Sequence, residues 1–96
     1  MAEILNDEQA DAAVTKLSGW TREGITIERT AKLPSFPKAI EAVDKVAELA
    51  EAADHHPDID IRWRTVTFRL STHSAGGLTE KDFALASQID GVLDKV

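Results

Sequence analysis

Between residues 59 and 70 the hydrophobic positions change parity: Ile59, Ile61 and Trp63 are odd, whereas Val66, Phe68 and Leu70 are even. Successive side chains of a strand point to opposite faces, so a single strand cannot hold both sets on one side of a sheet. The switch predicts a hairpin that reverses near Arg64-Thr65. A second alternating stretch lies earlier in the chain. Ile25, Ile27, Ala31 and Leu33 share one parity and Thr26, Glu28, Thr30 and Lys32 the other, with Arg29 the one charge on the apolar side. Glu23-Gly24 suits a tight turn, which makes Trp20 to Arg22 a short strand paired with Ile25 to Leu33.

Helical spacing fills the remainder. Asn6 is a good N-cap with Gln9 at the third helical position, Ala10, Ala13, Val14 and Leu17 form the stripe, and Gly19 stops the helix. Leu33-Pro34-Ser35-Phe36-Pro37 breaks the preceding strand, and Ser35 can cap a helix whose first turn tolerates Pro37. This helix should run to about His55 with Ile40, Val43, Ala47 and Ala50 as its stripe, widened by Val46 and Leu49. Pro57 disfavours α conformation at His56 and ends it there. After a small-residue loop, Thr72 to Gly77, the last helix opens with the capping box Thr79-Glu80-Lys81-Asp82. Leu78 can staple against Phe83, and Leu85, Ala86, Ile89, Leu93 and Val96 carry the apolar stripe.

Two hairpins separated by a helix predict an α+β two-layer sandwich: a four-stranded antiparallel sheet with three helices packed on one face, in the order α-β-β-α-β-β-α. The expected organisation is a single domain over residues 1–96. Edge strands in so small a sheet invite pairing with a second copy, so a homo-oligomer is expected.

Charge and composition narrow the chemistry. Eleven Lys plus Arg against seventeen Asp plus Glu give a net charge of −6, which supplies no basic surplus for nucleic acid or anionic lipid. The acidic start, MAEILNDEQADAA, has neither the basic nor the apolar segment of a signal peptide, and no apolar run is long enough to span a membrane. A cytoplasmic protein is the expectation. Without Cys there is no disulfide, thiolate nucleophile or Cys-held metal, which leaves His, carboxylates and hydroxyls as reactive groups. The three His, at 55, 56 and 73, fall within nineteen residues.

His55 and His56 sit at a helix C-terminus, near Glu51 and Asp54, a setting that favours cationic imidazole and is also a common structural placement. The hairpin between them and His73 returns toward its start, which brings His73 back near the pair. Three convergent imidazoles could hold zinc, but adjacent His on an extended segment point apart, and neither HExxH nor an i, i+4 His pair occurs. Ser71 and Ser74 flank His73 without a GxSxG elbow, and Gly76-Gly77 lacks the spacing and Lys of a phosphate cradle. General acid–base work by imidazole fits best. Asp82 is explained by its capping box, yet its helix start follows the His73 loop and can also face a site. Trp63 continues the alternation of Ile59 and Ile61 as a core or interface residue, and Trp20 and Phe36 read as packing residues.

Glu51, His55-His56-Pro57, Trp63, Ser71-Thr72-His73 and Asp82, at their spacings, resemble the signature of the pterin-4a-carbinolamine dehydratases, as do Gly19-Trp20 and the DHHP and GLTEKDFALA segments. The likeness covers essentially the whole chain. It implies loss of water from the 4a-hydroxytetrahydropterin left by aromatic amino acid hydroxylases, giving quinonoid dihydropterin, with no metal and no cofactor. It further implies that His55 and His73 are the acid–base pair, that His56 orients the substrate with some acid–base contribution, and that Pro57 shapes the pocket floor. Thr72, Ser74 and Ala75 would line the wall with backbone groups that bond the pterin's amide edge, while Asp82 would fix the tautomer or raise the basicity of a site His and still cap its helix. Dimers or tetramers are implied, built by sheet extension and helix packing. The same scaffold used as a protein-binding coactivator or assembly module is the alternative.

Overall fold

The structure, a computed structural model, describes residues 3–96. In chain order the elements are α1 (Asp7–Thr15), β1 (Thr21–Glu23), β2 (Thr26–Lys32), α2 (Phe36–Ala53), β3 (Asp58–Arg62), β4 (Thr65–Leu70) and α3 (Glu80–Lys95). The strands form one antiparallel sheet in the order β1-β2-β4-β3, so the inner strands of the two hairpins pair with each other and lock the hairpins together. The partners Ile27↔Leu70, Arg29↔Phe68 and Ala31↔Val66 put these side chains on one face. There Ile27, Val66, Phe68 and Leu70 pack with Ala39, Ala42, Val46 and Ala50 of α2 and Leu85, Ala86 and Ile89 of α3. The expected two-layer architecture is the observed one. No helix among the described residues is long and apolar enough to cross a membrane.

The helix ends follow local chemistry. Asn6 accepts from the Gln9 N–H at 2.8 Å, and Gln9 Oε1 accepts from the Asn6 N–H at 2.9 Å, a closed capping box. Ser35 caps α2 by accepting from the Lys38 N–H. At the other end Asp54 turns left-handed at φ 51°, and the His55 N–H donates to the Ala50 carbonyl at 3.0 Å. This left-handed cap ends the helix at Ala53, two residues before the expected end.

Other expectations need correction. The sheet-facing stripe of α2 is Ala39, Ala42, Val46 and Ala50, whereas Ala47 is exposed and Ile40 only half-buried. Alanine keeps the buried stripe slim, α2 lies close beside α3, and the bulkier Ile40 is left half-buried. Both hairpin turns fall one residue from their expected places, at Gly24-Ile25 and Trp63-Arg64. Ile25 is consequently exposed at a turn. Phe36 at 47% exposure is not a packing residue, and Trp63 at 72% is not in the core.

Arg29, the charge on the apolar face, reaches Asp90 of α3, and the same Asp90 oxygen accepts from the Trp20 indole N–H at 2.7 Å. A Cβ at Gly19 would lie 3.2 Å from Arg29 Nε, and the φ of +86° there also favours glycine. Asp90→Ala would strand a half-buried guanidinium and a buried indole N–H. It should cost about 1–3 kcal/mol, read as a fall in the thermal midpoint of roughly 4–8 °C per kcal/mol.

Candidate active site

β3 and β4 run antiparallel with Asp58 opposite Arg69, so the chain entering β3 lies beside the chain leaving β4. That places His55-His56-Pro57 and Ser71-Thr72-His73 at one end of the sheet. The start of α3 closes the group, with Asp82 fully buried and His55 8% exposed.

Asp82 is where these segments meet. Its Oδ1 lies 2.6 Å from His55 Nε2, and its Oδ2 accepts from the Thr72 hydroxyl at 2.8 Å and from the Thr79 N–H at 2.9 Å. A carboxylate only accepts, so Nε2 of His55 carries a hydrogen. The Thr72 hydroxyl spends its single hydrogen on Asp82. In the 2.8 Å contact between the two threonines, Thr79 is therefore the donor. The Thr79 oxygen in turn accepts from the Lys81 N–H at 3.2 Å. Every hydrogen in this buried set has a defined direction, which fixes the His55 ring and leaves Nδ1 as its nitrogen without a partner among the described residues.

Asp82 thus combines both roles open to it in sequence: it closes the capping box and holds an imidazole. His56 turns away to the surface, where its Nε2 lies 2.8 Å from Glu51 Oε1. The carboxylate one turn before the pair engages His56 rather than His55. His73 is exposed and its ring makes no hydrogen bond among the described residues. Its loop is nonetheless tied, because the Ala75 and Gly76 N–H groups donate to the Thr72 carbonyl at 3.1 and 3.0 Å, and the Thr72 N–H donates to the Gly77 carbonyl at 3.1 Å. Ser74 is exposed on this loop, while Ala75 and Pro57 are half-buried.

The structure therefore bonds His55, Thr72 and Asp82 directly, and sets His56, Pro57, His73, Ser74 and Ala75 on the segments flanking them. Two features escape the sequence reading. Thr79 belongs to the network, and Thr72 acts through its hydroxyl rather than its backbone alone. The available signal was the pair of threonines bracketing the loop, the second opening a capping box. Among the described residues no group of three or more His, Asp and Glu side chains is arranged to hold a metal ion.

The fold is an α+β sheet with helices on one face, and a buried imidazole–carboxylate pair lies at one end of it. A family model described as Pterin 4 alpha carbinolamine dehydratase matches residues 3–92, and the chain belongs to that family. A Nocardia farcinica protein provisionally named a pterin-4-alpha-carbinolamine dehydratase is 65% identical over 88 residues, covering 92% of this chain and 93% of its own. A Roseiflexus castenholzii protein with the same provisional name is 61% identical over 93 residues, covering 97% and 100%. Among solved structures, a transcriptional coactivator/pterin dehydratase from Brucella melitensis superposes with a TM-score of 0.92 at 29% identity, over 95% of this chain and 99% of that one. A pterin dehydratase-like protein identified as a RuBisCO assembly factor in the alpha-carboxysome shares the fold, with a TM-score of 0.65 at 19% identity over 80% and 89%.

Proposed function

We propose that this protein is a dehydratase that removes water from a 4a-hydroxytetrahydropterin, acting in the cytoplasm as a single domain over residues 1–96 and serving tetrahydrobiopterin recycling. The reaction breaks the C4a–O bond, with the hydroxyl leaving as water once protonated. The N5 lone pair forms the N5=C4a double bond, and the N5 proton passes to a base, leaving its bonding pair on N5 as the new lone pair. The product is the quinonoid dihydropterin. Two proton transfers are needed, and His55 and His73 carry them between them.

The observation that carries this reading is the hydrogen bond from His55 Nε2 to Asp82. It fixes one tautomer, leaves Nδ1 available to a substrate, and sets a buried carboxylate behind the ring. His56 orients the pterin, Pro57 forms the pocket floor, and the loop carrying Thr72, Ser74 and Ala75 offers groups to the pterin's amide edge. The carbinolamine nitrogen itself expels the hydroxyl, so positioned acid–base groups worth about 10²–10⁴-fold suffice.

The reading is tested by generating the 4a-hydroxypterin with an aromatic amino acid hydroxylase and following its disappearance spectrophotometrically. Purified protein should accelerate the decay at substoichiometric amounts, and an unchanged decay would refute the reading. His56→Ala should raise KM severalfold while leaving kcat within about tenfold, since an orienting residue acts mainly on binding. A kcat loss as large as that of His55→Ala would make His56 a full member of the proton-transfer pair.

The proposal includes a homo-oligomer. Exposed Ile59 and Ile61 on edge strand β3, with Trp63 beyond them, favour a protein surface there.

A further inference from the structure

His73 stands in a loop whose two ends meet. Thr72 and Gly77 form an isolated antiparallel bridge, in which the Thr72 N–H donates to the Gly77 carbonyl at 3.1 Å and the Gly77 N–H returns to the Thr72 carbonyl at 3.3 Å. The His73 ring is exposed and makes no hydrogen bond among the described residues, so its place is set by the backbone that carries it. That backbone is only as still as the two sides of its base. Thr72 is held from within, because its hydroxyl donates to the buried carboxylate of Asp82. Gly77 has no side chain by which to be held, and its side of the base has to be fixed from outside the loop.

The residues just before α1 supply that hold. Leu5 directly precedes the Asn6 cap, and its N–H donates to the Leu78 carbonyl at 2.8 Å. Ile4 packs on Gly77: a Cβ on this glycine would stand 3.0 Å from Ile4 Cγ2, and 3.7 and 3.8 Å from its Cγ1 and Cδ1. The two adjacent glycines therefore do different things. Gly76 takes a φ of +80° to close the loop, and Gly77 leaves the space that Ile4 fills. Gly77 and Leu78 are buried beneath this strap, although Ile4 itself is 55% exposed. The strap is anchored in turn by the capping box of α1 and by Arg22 of β1, which reaches Asp7 at 3.1 Å and Asp11 at 2.8 Å. A hold thus runs from β1 through α1 and residues 4 and 5 to the far side of the His73 loop. A cleft of about 150 Å³ already lies between Ile4, Ile25 and the glycine pair, so trimming Ile4 widens existing space without opening the core.

We propose that Ile4 and Leu5 are positioning residues for His73: they clasp Gly77 and Leu78 and so keep the loop where its imidazole can exchange a proton with the substrate. The consequence for rate rests on the proposed dehydratase reading; the clasp itself does not. Proton transfer requires the imidazole within hydrogen-bond reach of the reacting atom, and a displacement of about 1 Å can cost on the order of 10²-fold. His55 needs no strap, because its ring is bonded directly to Asp82. The two histidines are held by different means, one through its side chain and the other through its backbone and a segment distant in sequence.

Ile4→Ala removes the contact with Gly77 at an exposed position, Leu5→Pro removes the N–H that reaches Leu78, and Ile4→Val keeps both Cγ atoms as the conservative control. Backbone ¹⁵N relaxation should give order parameters of about 0.85 for residues 73–76 in the wild type and Ile4→Val, falling below about 0.6 in Ile4→Ala and Leu5→Pro while α3 is unchanged. In the dehydration assay Ile4→Ala and Leu5→Pro should lower kcat about 10–10²-fold, and Ile4→Val should keep it. At protein concentrations that hold the rate above the spontaneous one, the same substitutions should cost nothing further in a His73→Ala background, where no imidazole is left to misplace. Unchanged loop order in both strap variants would overturn the clasp. A loosened loop with kcat retained, or an equal loss of kcat in the His73→Ala background, would overturn the positioning of His73. A loosened loop in a protein whose wild type does not accelerate the dehydration would count against the reaction and uphold the clasp.

Discussion

Replacing Asp82 should cost the protein both its rate and much of its stability. Asp82→Ala removes the acceptor for three donors at once: the His55 ring N–H, the Thr72 hydroxyl and the Thr79 backbone N–H. Breaking a buried, hydrogen-bonded ionic group on one side costs about 3–5 kcal/mol. At roughly 4–8 °C per kcal/mol for a domain of this size, the thermal midpoint should fall by more than about 12 °C. Asp82→Asn is the sharper variant because it keeps the shape. Its amide has one accepting and one donating end, and the three hydrogens already aimed at it leave no place for a donor. The loss should be about 1–3 kcal/mol. If the donating end meets His55, it selects the opposite tautomer and puts the ring's hydrogen on Nδ1, where the reaction needs a free choice. The rate should then fall about 10²–10⁴-fold in a protein that is still folded at 25 °C. Calorimetry together with the dehydration assay separates the two effects, and an active Asp82→Asn would show that tautomer control is not what the carboxylate does.

The two histidines assigned to proton transfer should behave alike in rate and differently in stability. His73→Ala and His55→Ala are each expected to lower kcat about 10²–10⁴-fold. His73 is exposed and its ring is unbonded among the described residues, so its removal should leave stability within about 0.5 kcal/mol. His55 is buried against Asp82, and its removal strands Oδ1 of a carboxylate with no access to water, a loss of about 1–3 kcal/mol. Equal melting temperatures for the two variants would mean that the His55–Asp82 contact contributes nothing to the fold.

Much of this arrangement is legible in sequence because it depends on local rules. The capping boxes at Asn6 and Thr79 form as their residue types require, the parity switch marks a hairpin, and Pro57 follows closely on the end of α2. What stays hidden depends on contacts between distant segments. The sequence places a charge at Arg29 on the apolar face without showing that Asp90, sixty-one residues on, receives it. It offers Glu51 to both histidines, and only the left-handed turn at Asp54 decides that His56 takes it. The apolar stripe of α2 lies one position from where hydrophobicity alone puts it, because Ile40 is the bulkier residue but Ala39 and Ala42 are the ones fully buried in the core. Trp63 continues an alternating pattern as if it were a strand residue, although the turn begins there. In the site, Asp82 was readable as a cap and as a site residue, but its bonds to Thr72 and Thr79 depend on how the loop folds back.

If imidazoles at this end of the sheet dehydrate a pterin carbinolamine, rapid mixing will show it. Wild-type protein and a His55→Ala/His73→Ala double variant would each be mixed with freshly formed 4a-hydroxytetrahydropterin, with the decay to quinonoid dihydropterin followed against the uncatalysed reaction. Decay should be rapid with the wild type and return to the spontaneous rate with the double variant. A wild type no faster than buffer, or a double variant as fast as the wild type, would show that these histidines do not catalyse the dehydration.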